Sequence, residues 1–456
     1  MADPRYVFTM TTTSTIFALS SAPGRAAVAV IRVSGPAARS VLESLSGKVP
    51  EPRRATLATL RDPDTGTPLD QGLILFFAAP SSETGEDVAE LQTHGGRAVL
   101  AAVLKVLSAL PGCRMAEPGE FARRAFANGK LDLTTAEGIA DLVDAETEAQ
   151  RRQALTQASG ALGRLYEDWR NRLIEASALV EAAIDFSDEP DVSDKAVAQA
   201  EGVARRLETE LTAHLTDDNR GEILREGFRI VLAGPPNAGK SSLINALARR
   251  DVAIVSEEAG TTRDIIEVHL DLAGLPVIVT DTAGIRDAVG AVEREGIRRT
   301  FDRARSADLV IWLSDATTAN VAPPAELDGM RDRLLLVVNK IDALGDIITT
   351  DTLDGIIPIS ALTGVGLPAL TERLAAIASS RIGNVGTAPL ITQARHRAQV
   401  ESAVKALRAF GMGSPQDLEL RAEDLRAAST ALGRITGRID VEDVLDQIFG
   451  RFCIGK

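Results

Sequence analysis

A chain of 456 residues is too long for one hydrophobic core and predicts two or three domains. Its 45% hydrophobic and 25% charged content is that of a folded globular protein, while a net charge of −14 excludes a tight, purely electrostatic grip on nucleic acid by the whole chain. Two cysteines, Cys113 and Cys453, are too few for a disulfide framework and fit a reducing, cytoplasmic setting, and no apolar run is long enough to span a membrane.

The N-terminus lacks a signal-peptide core, Thr11–Thr15 being polar, and Met1–Thr13 reads as a disordered or alternative-start tail. Residues 15–117 alternate short apolar runs with two amphipathic stretches. Strands are predicted at Thr15–Ser20, Ala26–Val33, Ala55–Arg61, Leu73–Ala79 and Val88–Thr93, and helices at Ala37–Leu45 and Arg97–Leu110. The mixture predicts an α+β domain over 1–117. From Pro118 the chain turns rich in Ala, Leu, Glu and Arg. Leu155, Leu162, Trp169 and Ala176 recur at sevens, with Leu165, Leu173, Val180 and Ile184 between them, which predicts one long amphipathic helix. Pro190 is expected to interrupt, with a helix resuming over Val203–Leu215. Residues 228–380 return to β-α alternation, and Ala394–Phe410, Leu418–Leu432 and Val441–Phe449 are helical again. The economical organisation makes 118–226 and 383–456 two halves of one all-α helical domain, with an α/β domain over 227–382 inserted between them. Two independent helical domains are the alternative.

The inserted segment carries the chemistry. The apolar run Ile230–Ala233 leads into Gly234-Pro-Pro-Asn-Ala-Gly-Lys-Ser241, and Leu243, Ile244 and Leu247 continue as a helix. This is a P-loop in strand–loop–helix context: its backbone N–H groups and the helix N-terminus suit a phosphate chain. Asn237, Ala238, Gly239, Lys240, Ser241 and Ser242 are therefore candidate nucleotide-binding residues, with Lys240 on the outer phosphates and Ser241 on Mg2+. Gly260-Thr-Thr-Arg-Asp264 follows a strand-like Val252–Val255 and supplies a switch threonine. Asp281, Thr282, Ala283 and Gly284 end the run Val277–Thr280, where the carboxylate can reach the metal through water. Asn339, Lys340 and Asp342 end Leu334–Val338; a carboxylate there accepts two guanine donors that adenine lacks. Ser360, Ala361 and Leu362 end Ile356–Ile359 and are expected to close over the base. Signalling GTPases place a Gln directly after the third motif, but here that position is Ile285. The water must be oriented by another group, with Arg286, Asp287, Glu293 and Glu295 as candidates.

The whole span 15–456 resembles the MnmE (TrmE) family of tRNA wobble-uridine modification GTPases. The resemblance rests on Thr15-Ile-Phe-Ala-Leu, Pro23-Gly-Arg, Ile31-Arg-Val-Ser-Gly35, Thr84-Gly-Glu-Asp87, His94-Gly-Gly96, Pro118-Gly-Glu-Phe121, Lys130-Leu-Asp-Leu133, the nucleotide motifs and the terminal Phe452-Cys-Ile-Gly-Lys456. It implies an N-terminal folate-binding domain and a helical domain carrying an inserted P-loop GTPase domain. It also implies a homodimer whose G domains meet across their nucleotide faces, with K+ stimulating hydrolysis. Asn237 matches the family's side-chain K+ ligand, and the loop Ser256, Glu257, Glu258, Ala259, Gly260, Thr261 matches the K+-binding loop, with oxygens expected from Ser256, Glu258 and Thr261. Thr262 matches the second Mg2+ ligand beside Ser241, and Glu293 the catalytic residue that orients water. Arg32, Glu90, Lys130 and Lys456 match positions for a formyl- or methylene-tetrahydrofolate. A FAD-containing MnmG (GidA)-type partner and tRNA are the implied partners. The reaction implied forms a carboxymethylaminomethyl or aminomethyl group at C5 of wobble uridine.

Cys453 reads either as a reactive thiol near the folate or as an inert residue packing the tail. His94, His214, His269 and His396 are too scattered to suggest a metal cluster, and His94 reads as a strand-end turn. The alternative function is a ribosome-assembly GTPase of the Era or Der kind. Such proteins carry a usually basic RNA-binding appendage, whereas the flanking segments here are helical and acidic.

Overall fold

The computed structural model describes residues 14–186, 190–217, 219–250, 252–254, 267–281, 305–318, 322–344, 355–383, 389–414, 417–439, 442–450, 452, 454 and 455. The chain forms two compact units. One comprises Met1–Ala140, Gln157–Glu208 and Ser402–Lys456, the other Asp141–Thr156 and Thr209–Glu401.

The first unit contains a six-stranded sheet from β1 (Thr15–Leu19), β2 (Ala26–Ser34), β3 (Thr56–Arg61), β4 (Pro68–Phe77), β5 (Val88–Gly95) and β6 (Cys113–Met115) in the order β3-β4-β5-β2-β1-β6. All pairings are antiparallel except β1 with β6. Strand alternation points Ile31 and Val33 of β2, Ile74 and Phe76 of β4 and Leu91 of β5 to one face. There they pack with Val41, Leu42 and Leu45 of α1 (Ala38–Ser46) and with Val103 and Leu107 of α2 (Arg97–Ala109). Helix α1 stops where Gly47 adopts φ +70° and its N–H returns to Glu43 O, a left-handed cap that costs glycine no Cβ clash.

Helices α3 (Glu120–Ala127), α4 (Leu133–Asp144), α5 (Glu148–Ala158) and α6 (Ala161–Asp185) follow. The single helix expected across 155–184 is two. Gly160, at φ +79°, separates α5 from α6, so Leu155 is exposed while Leu162, Trp169 and Ala176 are buried. Pro190 does not interrupt a helix but begins α7 (Pro190–Leu215), where its missing N–H removes a donor that has no intrahelical acceptor anyway. Later in the chain, α11 (Ala394–Met412), α12 (Leu418–Thr436) and α13 (Glu442–Phe449) complete the helical part. Helix α12 packs along α6, with Arg426 on Glu181 at 2.8 Å and Thr436 on Glu167 at 3.0 Å. Helix α13 packs on α3: Phe449 lies 6.3 Å from Phe126, and Gly119 approaches Phe449 O so closely that a Cβ would fall 2.3 Å from it.

The second unit is an α/β sheet of β7 (Phe228–Ala233), β8 (Glu267–Leu272), β9 (Leu275–Asp281), β10 (Leu309–Asp315), β11 (Leu334–Asn339) and β12 (Ile356–Pro358), in the order β12-β11-β10-β7-β9-β8. Five strands are parallel and β8 alone is antiparallel, joined to β9 by a tight turn through Ala273 and Gly274 at positive φ. Near-continuous apolar runs such as Ile230, Val231, Leu232 and Ala233 suit a sheet covered on both faces. Helices α8 (Arg220–Glu226), α9 (Lys240–Ala248) and α10 (Leu367–Ile382) contribute Leu224, Leu243, Leu247, Leu370 and Leu374 to its core. The expected strand over Val252–Val255 does not form among its described residues; Ala253 makes one isolated bridge to Leu270.

Candidate nucleotide-binding site

The parallel strands all point their carboxyl ends to one edge, and the order turns back at β7, which lies between β10 and β9. Loops leaving that edge diverge and open a crevice, the place where such sheets bind ligands. Four predicted motifs leave it: the P-loop after Ala233, Asp281 at the end of β9, Asn339 at the end of β11, and Ser360 after β12.

Backbone conformation shapes the P-loop. Gly234 (φ +155°), Asn237 (φ +64°) and Gly239 (φ +94°) take values that most side chains avoid. At Gly234 a Cβ would lie 2.2 Å from Leu313 O, and at Gly239 one would lie 2.3 Å from Asn339 Nδ2, so these glycines are required by close approach as well as by φ. Helix α9 begins at Lys240 and aims its first N–H groups at the loop. The Lys240 ammonium donates to Gly234 O at 2.9 Å and Pro235 O at 3.1 Å. Burial lowers its pKa, against the opposing pull of the Asp281 charge. Phosphate oxygens would be stronger acceptors for it than these two carbonyls.

Ser241 Oγ donates to Asp281 Oδ2 at 2.9 Å. A hydroxyl and a carboxylate oxygen at this spacing form part of a hard-oxygen donor set and fit Mg2+. Asn339 spans two loops: Nδ2 donates to Ala238 O at 2.9 Å and Oδ1 accepts from the Ala361 N–H at 2.9 Å. Asp342 is exposed, and its Oδ1 accepts from Ser360 Oγ, which fixes the carboxylate beside the Ala361 turn. Leu362 stands 85% exposed at the same turn. Lys340, at φ +66°, places Nζ 2.7 Å from Asp315 Oδ2 at the end of β10. The Lys340 bond, with two more from Thr317, holds the Asp315 carboxyl at about 2. Asp315 was missed by sequence reasoning, although it ends an apolar run just as Asp281 and Asn339 do. Asn237 and Ser242 are exposed on the loop and the first helical turn. Ser256, Glu257, Glu258, Ala259, Gly260, Thr261, Thr262, Thr282, Ala283, Gly284 and Glu293 lie outside the described residues.

The proposed folate residues lie in the first unit. Arg32 and Glu90 face each other across β2 and β5, and the guanidinium donates through Nε and Nη2 to Glu90 Oε1 at 3.3 and 3.2 Å. Its Nη1 reaches Glu83 Oε2 at 2.6 Å, and its head lies 5.9 Å from the Phe121 ring. Lys130 is exposed, with its stem beside Gly85, so the 83–86 turn touches both Arg32 and Lys130. Below it, Arg124 is 3% exposed and bonds Glu86, Glu120 and Ser14 O, while Glu86 accepts from Ser34. This network joins residues far apart in sequence and had no local signal. His94 lies at the expected strand end, in the last residues of β5 rather than in the turn after it, and its Nδ1 pairs with Asp70 at 2.8 Å. Cys453 and Lys456 lie outside the described residues.

Known proteins match the chain along its length. The family described as "GTP-binding protein TrmE N-terminus" matches residues 15–130, and "MnmE helical domain" matches 133–453. The tRNA modification GTPase MnmE of Parvibaculum lavamentivorans is 55% identical, covering 97% of this chain and all of its own. That of Paramagnetospirillum magneticum is 53% identical over 97% of this chain and 99% of its own. Among solved structures, an Aquifex aeolicus Era variant bound to GDP and aluminium tetrafluoride aligns at 25% identity over 39% of this chain and 66% of its own, with a TM-score of 0.27. The family models and the full-length relatives together show that this chain belongs to the MnmE (TrmE) family.

Proposed function

We propose that this protein is a GTP hydrolase acting in tRNA modification. The observation that carries the reading is the Asn339 bridge between the P-loop and the Ala361 turn, with the Asp342 carboxylate held beside it. That arrangement couples phosphate grip to base recognition. Asp342 accepts the two donors of guanine, Lys240 takes the outer phosphates, and Ser241 with Thr262 holds Mg2+, with Asp281 behind them. Asn237 and the oxygens of Ser256, Glu258 and Thr261 hold K+, and Glu293 orients the attacking water in place of the glutamine that Ile285 replaces. Mg2+ and K+ held by these residues would supply positive charge to the phosphate oxygens.

In the first unit, Arg32 and Lys130 bind the acidic tail of a tetrahydrofolate, and Glu90 reads the pterin edge, with Lys456 completing the site. A folate one-carbon unit supplies the methylene carbon. The chain works as a cytoplasmic homodimer with a FAD-containing MnmG-type partner, forming a carboxymethylaminomethyl or aminomethyl group on the wobble uridine of certain tRNAs. The domains are 1–117, 118–226 with 383–456, and an inserted G domain over 227–382. Among the described residues no helix is long and apolar enough to cross a membrane.

The decisive experiment measures GTP turnover in KCl and in NaCl, then titrates the protein with 5-formyltetrahydrofolate. Faster turnover in KCl and saturable folate binding support the reading. Equal rates in both salts remove the potassium site, and no folate binding removes the modification chemistry.

A further inference from the structure

At the edge of the second-unit sheet opposite the P-loop lies a cavity of about 270 Å³ lined by Arg220, Ile223, Asp308, Arg333, Ser380 and Arg381. Its position follows from the strand directions. Asp308 and Arg333 immediately precede β10 and β11, whereas Asp315 and Asn339 end those strands on the nucleotide side. Arg220 opens α8, just before the sheet begins, and Arg381 sits in the last turn of α10, just before the chain leaves it.

Three guanidinium groups thus share one cavity with one carboxylate. That carboxylate is already engaged, since Asp308 Oδ2 accepts the Arg229 N–H at 2.8 Å, and burial pushes its pKa up. Arg333 spends one nitrogen on Ala307 O at 2.8 Å, which fixes its fork. Arg381 makes a long contact, 3.9 Å, to Asp332 and acts on Asp308 through its charge. Arg220 is the informative one. Its Nε is buried and has no hydrogen-bond partner among the described residues, and its Nη1 lies 3.1 Å from where a Cβ on Gly383 would be. A buried guanidinium nitrogen without an acceptor is destabilising, and a bound oxyanion relieves it. Planar forks with spare donors match tetrahedral oxyanions, and they do so here inside a chain of net charge −14.

We propose that this cavity binds a phosphoryl oxyanion, carried either by a small phosphate compound or by the backbone of RNA. Occupancy bridges Arg220 to Arg381 and so ties the segment entering the sheet to the one leaving it, on the side away from GTP. Only the RNA source rests on the tRNA reading above.

The test uses the full chain with its P-loop saturated by GDP and Mg2+. Thermal unfolding is followed in sodium phosphate and in sodium chloride at matched ionic strength. The wild type, Arg220→Ala, Arg381→Ala and the double variant are compared. Phosphate is expected to raise the wild-type Tm above its chloride value, as binding to the folded state requires, and the double variant is expected to lose that rise. In a second arm, an unmodified tRNA transcript is titrated across a salt series. About tenfold weaker binding by the double variant, with a log–log salt slope shallower by about 1, identifies a backbone phosphate as the occupant. A lost phosphate effect with unchanged RNA binding identifies a small phosphate compound. Basal GTP turnover checks that each variant is folded, and Arg381→Ala, at an exposed position, keeps the test informative if Arg220→Ala is unstable. No phosphate-specific Tm rise in the wild type, together with unchanged RNA binding in the variants, overturns the proposal.

Discussion

Asn339 holds Ala238 of the P-loop by a 2.9 Å bond to its carbonyl while accepting the Ala361 N–H with its own oxygen. Asn339 is 2% exposed and Ala238 is fully buried, so that carbonyl cannot turn to water instead, whereas the Ala361 N–H is part-buried. Asn339→Ala leaves the buried Ala238 carbonyl unpaired, at roughly 1–3 kcal/mol, and releases the part-buried Ala361 N–H. GDP affinity is expected to fall at least tenfold, read by displacement of a fluorescent GDP analogue. Unchanged affinity would mean that the bridge does not shape the pocket.

Asp342 offers a different test. Asp342→Asn keeps the Ser360 bond available but replaces a carboxylate oxygen with an amide donor. Two charge-assisted bonds to guanine weaken, at about 1.5–3 kcal/mol each, so GTP affinity should fall roughly 100-fold or more. Xanthine carries an acceptor where guanine carries its amino donor, so the variant should turn over xanthosine triphosphate faster than GTP. A variant that still prefers GTP would remove Asp342 from base recognition.

Much of the second unit was legible because its parallel strands are continuous apolar runs that end in polar motifs, and the ends are where the crevice forms. Val252–Val255 misled because so short a run makes a strand only with a neighbour to pair along its length; among its described residues the pairing stops at one bridge from Ala253 to Leu270, flanked by backbone bonds at Val252 and Ile254. Strand β6 was missed since Cys113–Met115 is short and gains its place from pairing with β1, a long-range fact. The Arg124–Glu86–Glu120 network was invisible for the same reason. Seven-residue spacing at Leu155 and Leu162 overruled Gly160, although the glycine was the stronger local signal.

That break can be probed directly. Gly160→Ala forces φ +79° on a residue with a Cβ, while the nearest obstacle, Arg164 Nη1 at 3.1 Å, is the mobile end of a long side chain. Backbone strain therefore dominates, and a loss of about 1–2 kcal/mol is expected in urea unfolding. If the variant were as stable as the wild type, α5 and α6 would be able to run together as one helix.

Arg32 sits between two carboxylates, Glu90 and Glu83, with its own side chain 16% exposed. Arg32→Ala removes the cation from both and leaves two like charges on one small surface. Binding of 5-formyltetrahydrofolate, followed by calorimetry, should weaken at least tenfold, with Arg32→Lys restoring part of it since a point charge cannot reproduce the fork. Full affinity in Arg32→Ala would reduce the arginine to a cross-strand partner of Glu90.

His214, near the end of α7, supplies the pH prediction. Burial lowers its pKa from 6.5 to about 4; the Asp217 charge opposes this, and His396 and Arg397 add to it. Arg397 itself bonds Asp217 Oδ1 at 2.7 Å and Glu222 at 3.1 Å, so the carboxylate that acts on the imidazole is shared with a guanidinium. The folded state therefore prefers neutral His214, whereas the unfolded chain takes up a proton near 6.5. Stability is fully present above pH 6.5, falls as the pH drops towards about 4, and loses on the order of 3 kcal/mol at most through this group. His214→Gln cannot gain the proton and should flatten that limb of the urea-midpoint profile. Parallel profiles for variant and wild type would show that the imidazole charges as easily in the folded protein as in water.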